Sequence, residues 1–594
     1  MVSEKIGIRL AIDVEARDGQ GSTASRLTWD AGIFAAVFLV YLLSPLRSSV
    51  DSSFVLPRAY SLLHGDGGAL DAMVMADPAT HGVTLAPNGQ IHSMYPVGPS
   101  LLALPVVAVL DLIVPDLRAS LLDRTTAVEI EAFLAALISA MSAVLMWRQA
   151  RRATRRVGVA LLAVMIFAFA SPMWSTASRG LCQHGPLVLL TLGAWLALRR
   201  AGDEGHATRR WLLVAGLLAA FTVVTRPLGV AFVLVASIHA IVVHRRDAIV
   251  FLSAGAAVAA CWIVFNWLTE GQFVSPYYLP GTFPIRGGAW YERVFGQLIS
   301  PSRGLLIFSP IFLLAFIGPL SKWRGGTLDR HDGLAIGATI SLLFVHLGSS
   351  AWWAGHSYGP RFMTDAVPFL VYLCIDPLER LAAMPRSWTR TGLRAAVTGL
   401  VLISVAMHLN GATNRNLETW NQKPRSIGDP SEYHRLWDWR HPQFLQGPIE
   451  LPPNRLCQAL SRLGSPPRPR SARIAMFFDP EPFRPGFIWR MRAVDGLAVP
   501  LPWTLQEIAD LGGRVRIDVV AWSDDMGPHV LAIWAAGHEI ARWRVRADGR
   551  MASYEIALPI EAVTSEESGA PLRVVVDDTP GLLKVAISNA RGEP

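Results

Sequence analysis

Directly after an apolar run near residues 29–46 the chain reads Arg47-Ser48-Ser49-Val50-Asp51-Ser52-Ser53-Phe54. A carboxylate at the mouth of a membrane helix is costly unless it is solvated or paired, which makes Asp51 a candidate for function. A carboxylate near the interface suits the removal of a proton from a hydroxyl that then attacks a carbon, the step that inverting glycosyl transfer requires. Two plainer readings stand beside that one. Asp51 is a solvated loop residue, or it caps a helix running from Ser53 towards Leu63.

Four further groups share this placement between apolar runs. Trp352-Trp353-Ala354-Gly355-His356-Ser357-Tyr358-Gly359-Pro360-Arg361-Phe362-Met363-Thr364-Asp365 is the densest local cluster. Its aromatic faces can stack on a sugar ring, or form an interfacial aromatic belt. Arg361 and Asp365 are four apart at a helix start, the spacing of an internal ion pair that would orient Arg361. In Ser178-Arg179-Gly180-Leu181-Cys182-Gln183-His184-Gly185-Pro186, His184 with Gln183 can face a site. There His184 binds an acceptor or shares a proton with Asp51, or else simply packs. Arg226-Pro227 lies at a turn between apolar runs, where a cation can also snorkel to the interface for no functional reason. Residues 269–303 hold Glu270, Tyr277-Tyr278-Leu279-Pro280-Gly281, Arg286-Gly287-Gly288 and Ser300-Pro301-Ser302-Arg303-Gly304. No Asp-x-Asp falls in the first long loop, and His64, Asp66, Asp71, Asp77, His81 and His92 have spacings that propose no ligand set. No metal site or required cofactor is expected; a divalent ion is not indicated. There is no P-loop and no dinucleotide fingerprint.

The elements that must position these residues are membrane helices. Of 594 residues 52% are hydrophobic and 17% charged, against about a quarter charged in soluble domains. The net charge of +8 comes with arginines clustered between apolar runs, the pattern of cytoplasmic loops rather than of a nucleic-acid groove. The four cysteines show neither metal spacing nor a disulfide framework. Apolar cores near 29–46, 129–147, 157–173, 186–198, 211–225, 228–243, 248–268, 304–320, 333–351, 362–377 and 394–409 predict eleven crossings. The stretch 98–115, interrupted by Pro105 and Asp111, is read as interfacial. That choice puts the arginine-bearing loops 148–156, 199–210, 244–247, 321–332 and 378–393 on one side with the N-terminal tail. The expected layout is a cytoplasmic tail (1–28), a transmembrane domain (29–409) with outer loops 47–128 and 269–303, an extracytoplasmic linker (410–480), and an extracytoplasmic β-domain (481–594). In the last, alternation over Arg514–Trp522, Val530–Trp534, Glu539–Val545, Ser553–Leu558, Leu572–Val576 and Leu583–Ser588 predicts strands of a β-sandwich.

Asp51 just past the first span, the amphipathic stretch Phe54–His64, and Tyr95-Pro96-Val97-Gly98-Pro99 leading an interfacial helix together resemble the GT-C superfamily. These membrane glycosyltransferases include protein O-mannosyltransferases, bacterial aminoarabinose transferases and actinobacterial arabinofuranosyltransferases. The tryptophan pair before Tyr358-Gly359-Pro360-Arg361 is similar to a motif of mannosyltransferase-like members. The resemblance extends over most of 29–409. It implies a polyprenyl-phosphate-linked sugar donor, a glycan, lipid or protein acceptor, and chemistry on the extracytoplasmic side of the inner or plasma membrane. It maps the general base onto Asp51; His184 is a second catalytic candidate from its own placement. Arg226 corresponds to a basic residue that meets the lipid phosphate in the aminoarabinose transferases, a contact suited to a guanidinium fork. Arg361 and Arg303 are the other phosphate candidates. Trp352, Trp353, His356, Tyr358, Tyr277 and Tyr278 are the candidates for sugar or acceptor. Many members hold a second acidic residue near 183–184, and this chain has none there. The rival readings are a transporter or flippase of a lipid-linked sugar, which needs the arginines but no base, and a non-catalytic sugar sensor.

Overall fold

The computed structural model describes residues 23–47, 51–71, 82–122, 124–203, 205–279, 289–346, 351–449 and 451, and, towards the C-terminus, the strands between 487 and 592. Most of the expected tail, Asp77, His81, Arg286-Gly287-Gly288 and the 452–480 part of the expected linker lie outside the described residues.

Each of the eleven apolar cores overlaps a helix. In chain order the elements are α1 (Thr23–Leu43), α2 (Val55–Leu63), a hairpin of β1 (Val83–Leu85) and β2 (Ile91–Ser93), α3 (Gly98–Ile113), α4 (Leu117–Leu122), α5 (Arg124–Ala153) and α6 (Val157–Phe169). There follow α7 (His184–Asp203), α8 (Thr208–Thr225), α9 (Gly229–His244), α10 (Ala248–Glu270), α11 (Trp290–Ile299), α12 (Leu305–Phe308), α13 (Leu314–Arg324), α14 (Arg330–His346), α15 (Val367–Ala383) and α16 (Trp388–Thr413). Among the described residues, four stretches suffice by length and composition to cross a membrane: Thr126–Ala153, Thr208–Thr225, Gly229–Glu270 and Trp388–Thr413. The third is broken at Arg245, whose φ of 46° separates α9 from α10. Leu27–Leu43, Gly98–Ile113 and Val157–Phe169 are apolar but shorter. Exposed Ile238, Val242, Ile249 and Val264 form the kind of surface that lipid covers.

The expected span 304–320 is interrupted. α12 ends at Phe308, a 3₁₀ turn (Pro310–Leu313) follows, and α13 resumes at Leu314. Pro310 has no N–H to give and disfavours helix in the residue before it. A π turn, Met173–Ala177, interrupts the chain after α6. His408 of α16 joins the two irregularities: Nδ1 meets Ser175 Oγ at 2.8 Å and Nε2 meets Ser309 Oγ at 2.7 Å.

Ion pairs sort the loops into two ends. Arg148 pairs with Asp30 (2.6 Å), Arg152 with Asp203, Arg156 with Glu379 (2.8 Å) and Arg209 with Asp247 (2.8 Å), which gathers the arginine-bearing turns at one end. At the other end Arg47 pairs with Glu129 at 2.9 Å, and Ser52 Oγ donates to Glu131 at 2.6 Å. The chain therefore leaves α1 and enters α5 at the same end, so α3 makes no net crossing between them.

The expected linker is partly built into this end. Trp420, Ile427 and Leu436 form one buried cluster with Trp352 and Trp353, while Ser300 Oγ donates to the carbonyl of Leu436 at 2.6 Å. In the C-terminal part, all six expected strands are present, as β5 (Arg514–Trp522), β6 (Pro528–Ala535), β7 (His538–Arg546), β8 (Asp548–Ala557), β9 (Pro571–Val576) and β10 (Leu583–Ser588). β3 (Phe487–Ala493), β4 (Val499–Thr504) and β11 (Arg591–Gly592) were not anticipated. β5 pairs with β8, β10 and β11, and β10 with β3; β4, β9, β6 and β7 form a second antiparallel sheet.

Candidate functional site

Five chain segments, with Tyr277 from a sixth, deliver polar side chains to the end that carries Asp51, and their contacts close into a ring. The first segment leaves α1. Arg179, fully buried, donates to the carbonyls of Tyr41 (2.6 Å), Ser44 (2.8 Å) and Leu46 (3.4 Å), and Arg47 also reaches the Ser44 carbonyl. These bonds satisfy acceptors that a helix C-terminus leaves open. Burial and the neighbouring Arg47 pull the Arg179 guanidinium down to about 9. Beyond this exit Ser52, tethered to Glu131, anchors the position next to Asp51.

The second segment is the β1–β2 hairpin and the turn into α3. Gly98 lies so close to α8 that a Cβ there would sit 2.5 Å from Cα of Thr225, a contact that only glycine allows. That approach sets Tyr95 over Asp51, and its hydroxyl donates to Oδ1 at 3.3 Å. Burial raises the Tyr95 hydroxyl above its ordinary range, with Tyr277 adding to the effect, so it remains a donor.

The third, fourth and fifth segments are the start of α7 with Gln183 and His184, the end of α8 with Arg226, and the 3₁₀ turn Arg361–Ala366 before α15. Gly359, at φ 58°, turns the chain into that last segment against the Phe308 ring. Arg361 contacts Oδ2 of Asp51 through Nη2 and donates through Nε to His184 Nε2 at 3.3 Å. Because Nε2 accepts, the imidazole proton sits on Nδ1, which donates to Asp365 Oδ1 at 2.7 Å. The other Asp365 oxygen stands 2.8 Å from Arg226 Nε, an ion pair without hydrogen-bond alignment. Arg226 Nη1 reaches Gln183 Oε1 at 3.4 Å, and Gln183 Nε2 donates to the Tyr277 hydroxyl at 3.2 Å. The Tyr277 ring lies 5.7 Å from that of Tyr95, which returns the circuit to Asp51. The Arg226 guanidinium also faces the Phe362 ring at 5.8 Å, with His346 stacked on the same ring at 4.8 Å. Burial pulls Arg361 down to about 10, with Asp365 opposing, and at neutral pH it stays charged.

Of the expected site residues, Asp51, His184, Arg226, Arg361 and Tyr277 are thus brought together. The others are placed differently. The expected local pair of Arg361 with Asp365 is replaced by a relay, since Asp365 reaches Arg361 only through His184. Tyr278 turns away and donates to the Val223 carbonyl at 2.9 Å. Arg303 is fully buried and donates to Trp353 O (2.8 Å), Ser302 O (2.8 Å), Gly355 O (3.3 Å), Asn421 Oδ1 (2.8 Å) and Gln443 Oε1. That set braces two loops and leaves the guanidinium fork occupied by protein. Burial, with Arg435 adding to it, pulls its pKa down to about 9.

Trp352 packs on Gly296 and Trp437, and Trp353 on Tyr433, so both rings are buried rather than presented. Tyr358 donates to the Met407 carbonyl at 2.8 Å, and His356 meets Ser426 at 2.9 Å. A narrow recess bordered by Gln297, Trp352, Trp353 and Gly359 nonetheless opens beside Arg361. Sequence reasoning missed Glu129, Glu131 and the anchoring role of Arg179. The rule that singled out Asp51, a charge at the mouth of an apolar helix, applies equally to the two glutamates. No group of metal-ligating side chains occurs among the described residues.

No protein-family model matches the chain, and no curated protein matches it in sequence. Among solved structures it is similar to the Archaeoglobus fulgidus oligosaccharyltransferase tethered to an acceptor peptide containing the NVT sequon. The identity is 12% over 72% of this chain and 60% of that one, with a TM-score of 0.43. It is also similar to the oligosaccharyltransferase AglB of the same organism in complex with an inhibitory peptide and a dolichol-phosphate (11% identity, 71% and 61% covered, TM-score 0.43). A third likeness is to ArnT from Cupriavidus metallidurans bound to undecaprenyl phosphate (14% identity, 67% and 73% covered, TM-score 0.41). The chain spans about three fifths of the length of the oligosaccharyltransferases.

Proposed function

We propose that the protein is a multi-pass membrane glycosyltransferase that moves a sugar, with inversion, from a polyprenyl-phosphate donor to a glycan, lipid or protein hydroxyl. Eleven crossings would put the N-terminus in the cytoplasm and the Asp51 end on the extracytoplasmic side of the inner or plasma membrane. The observation that carries the reading is the ring itself. Two guanidiniums, Arg226 and Arg361, flank one buried His184–Asp365 pair, and one of them touches the half-exposed carboxylate of Asp51. Guanidinium forks suit a phosphate, and Asp51 suits a hydroxyl proton.

In the reaction the acceptor O–H gives its proton to Asp51 while its oxygen bonds to the anomeric carbon. The bond from that carbon to the phosphate oxygen breaks, and its electron pair leaves with the polyprenyl phosphate. Arg226 and Arg361 stabilise the departing charge, and poor solvation at the membrane surface makes each interaction worth more than in water. With the tryptophan rings buried, sugar contact falls to Tyr277, to Tyr95 and to the mouth of the recess beside Arg361.

The test is sugar transfer from the native donor pool in membranes that contain Asp51→Asn. The change is nearly isosteric and removes the proton acceptor, so turnover should drop by about 10²–10⁴-fold while donor binding persists. Arg361→Ala should lose donor binding as well as turnover, because the phosphate is charged before and during the reaction. Near-normal transfer by Asp51→Asn would contradict the assignment. Normal transfer by both variants together with failed movement of lipid across the bilayer would favour the flippase.

A further inference from the structure

Arg361 has two claimants. It holds Asp51, and on the reading above it must also hold the donor phosphate. The ring shows which of its links can open. Asp365 and Arg226 are 1% and 5% exposed at their side chains, and His184 is 0% exposed, whereas Asp51 and Arg361 are 26% and 19% exposed. An ion pair in contact with solvent is the weaker one and the one a ligand can reach. Arg361 is moreover held from behind: Nε donates to His184, whose other nitrogen is bound to Asp365. The guanidinium can therefore release Asp51 from Nη2 while its Nε bond to the imidazole keeps it in the site. Arg226, paired with Asp365 without alignment, lies on the far side of that imidazole–carboxylate pair.

We propose that the lipid phosphate and Asp51 compete for Arg361, so that the arriving donor takes the guanidinium and sets the base free. The inference rests on the polyprenyl-phosphate reading of the site. A carboxylate held by a guanidinium keeps its charge and accepts a proton reluctantly. Before the donor binds, Asp51 is thus restrained. Once the phosphate engages Arg361, Asp51 keeps its bond from the Tyr95 hydroxyl and can take the acceptor proton. Donor binding then precedes acceptor deprotonation in a fixed order, which protects the enzyme from activating hydroxyls with no sugar in place. When polyprenyl phosphate departs, Arg361 returns to Asp51, and the proton that Asp51 took from the acceptor is expelled to solvent. Atoms and charge balance over the cycle with no further reactant.

Binding of undecaprenyl phosphate to the full chain in nanodiscs of neutral lipid tests this without knowledge of the sugar. Removal of the competitor in Asp51→Asn should tighten binding by about two- to fivefold, the scale of a partly exposed ion pair. Asp51→Ala should act in the same direction, and Arg361→Ala should abolish the difference. Asp66→Asn removes a carboxylate from the same end but outside the ring, and should leave affinity unchanged. Unchanged or weaker binding by both Asp51 variants would overturn the competition, and so would equal tightening by Asp66→Asn, which would mean bulk charge alone. Failure of every form, wild type included, to bind would instead contradict the phosphate reading itself.

Discussion

A guanidinium–carboxylate pair in contact with water is worth about 0–1 kcal/mol, while removal of one partner from a buried pair costs about 3–5 kcal/mol. That contrast separates the ion pairs of the ring: Asp51–Arg361 is of the first kind, and Asp365–Arg226, with His184 beside it, is of the second. Asp365→Asn should therefore act on stability: the Tm of the purified protein in detergent should fall by several degrees, and a second change, Arg226→Gln, should restore part of the loss. A single variant as stable as wild type would mean that the buried cluster is not held by charge. Asp365 also shows why sequence spacing misled locally. Four residues apart suits α-helix, but Arg361–Ala366 is a 3₁₀ turn with three residues per turn. Asp365 is rotated off the Arg361 row and meets His184 and Arg226, which come from two other helices.

At the scale of elements, helix termini and turns hold the ring of polar side chains in place. His184 begins α7, Arg226 follows α8, and Asp51 follows α1. Such positions were legible because a charge beside a long apolar run is conspicuous against the run. The exit of α1 is clasped twice, by Arg179 on its last carbonyls and by Glu129 and Glu131 on Arg47 and Ser52. Neither clasp follows from periodicity, since each joins residues 79 to 138 positions apart. The tryptophans are buried for a related reason. Trp352 and Trp353 have the composition of a binding face, but Trp420, Tyr433 and Trp437 cover them from a segment that reads as a linker. Strand alternation was easier to follow: β5 and β10 begin and end where their patterns do, whereas β3 and β4 carry Arg and Pro that blur the period.

At the scale of the molecule, the account requires the two ends of the helical bundle to face opposite sides of a membrane. One end is laced by arginine ion pairs and the other carries the ring. The positive end should be cytoplasmic. In a chain with Cys182, Cys261, Cys374 and Cys457 replaced by alanine, Pro430→Cys in the exposed turn beside Trp437 should react with an impermeant maleimide in intact spheroplasts. Labelling only after the membrane is permeabilised would reverse the topology and move the ring to the cytoplasmic side.

The central claim, that Asp51 is the base beside a lipid-phosphate site, is tested most directly by native mass spectrometry of the lipid that copurifies with the full chain. Asp51→Asn should arrest the enzyme with its donor intact, so its bound mass should equal a polyprenyl phosphate plus one sugar. Wild type should carry the prenyl phosphate alone or nothing, and a double Arg226→Ala, Arg361→Ala variant neither species. The extra mass would also name the class of sugar. If Asp51→Asn and wild type carry the same lipid with the same sugar content, or if no form carries a prenyl phosphate, the account is contradicted.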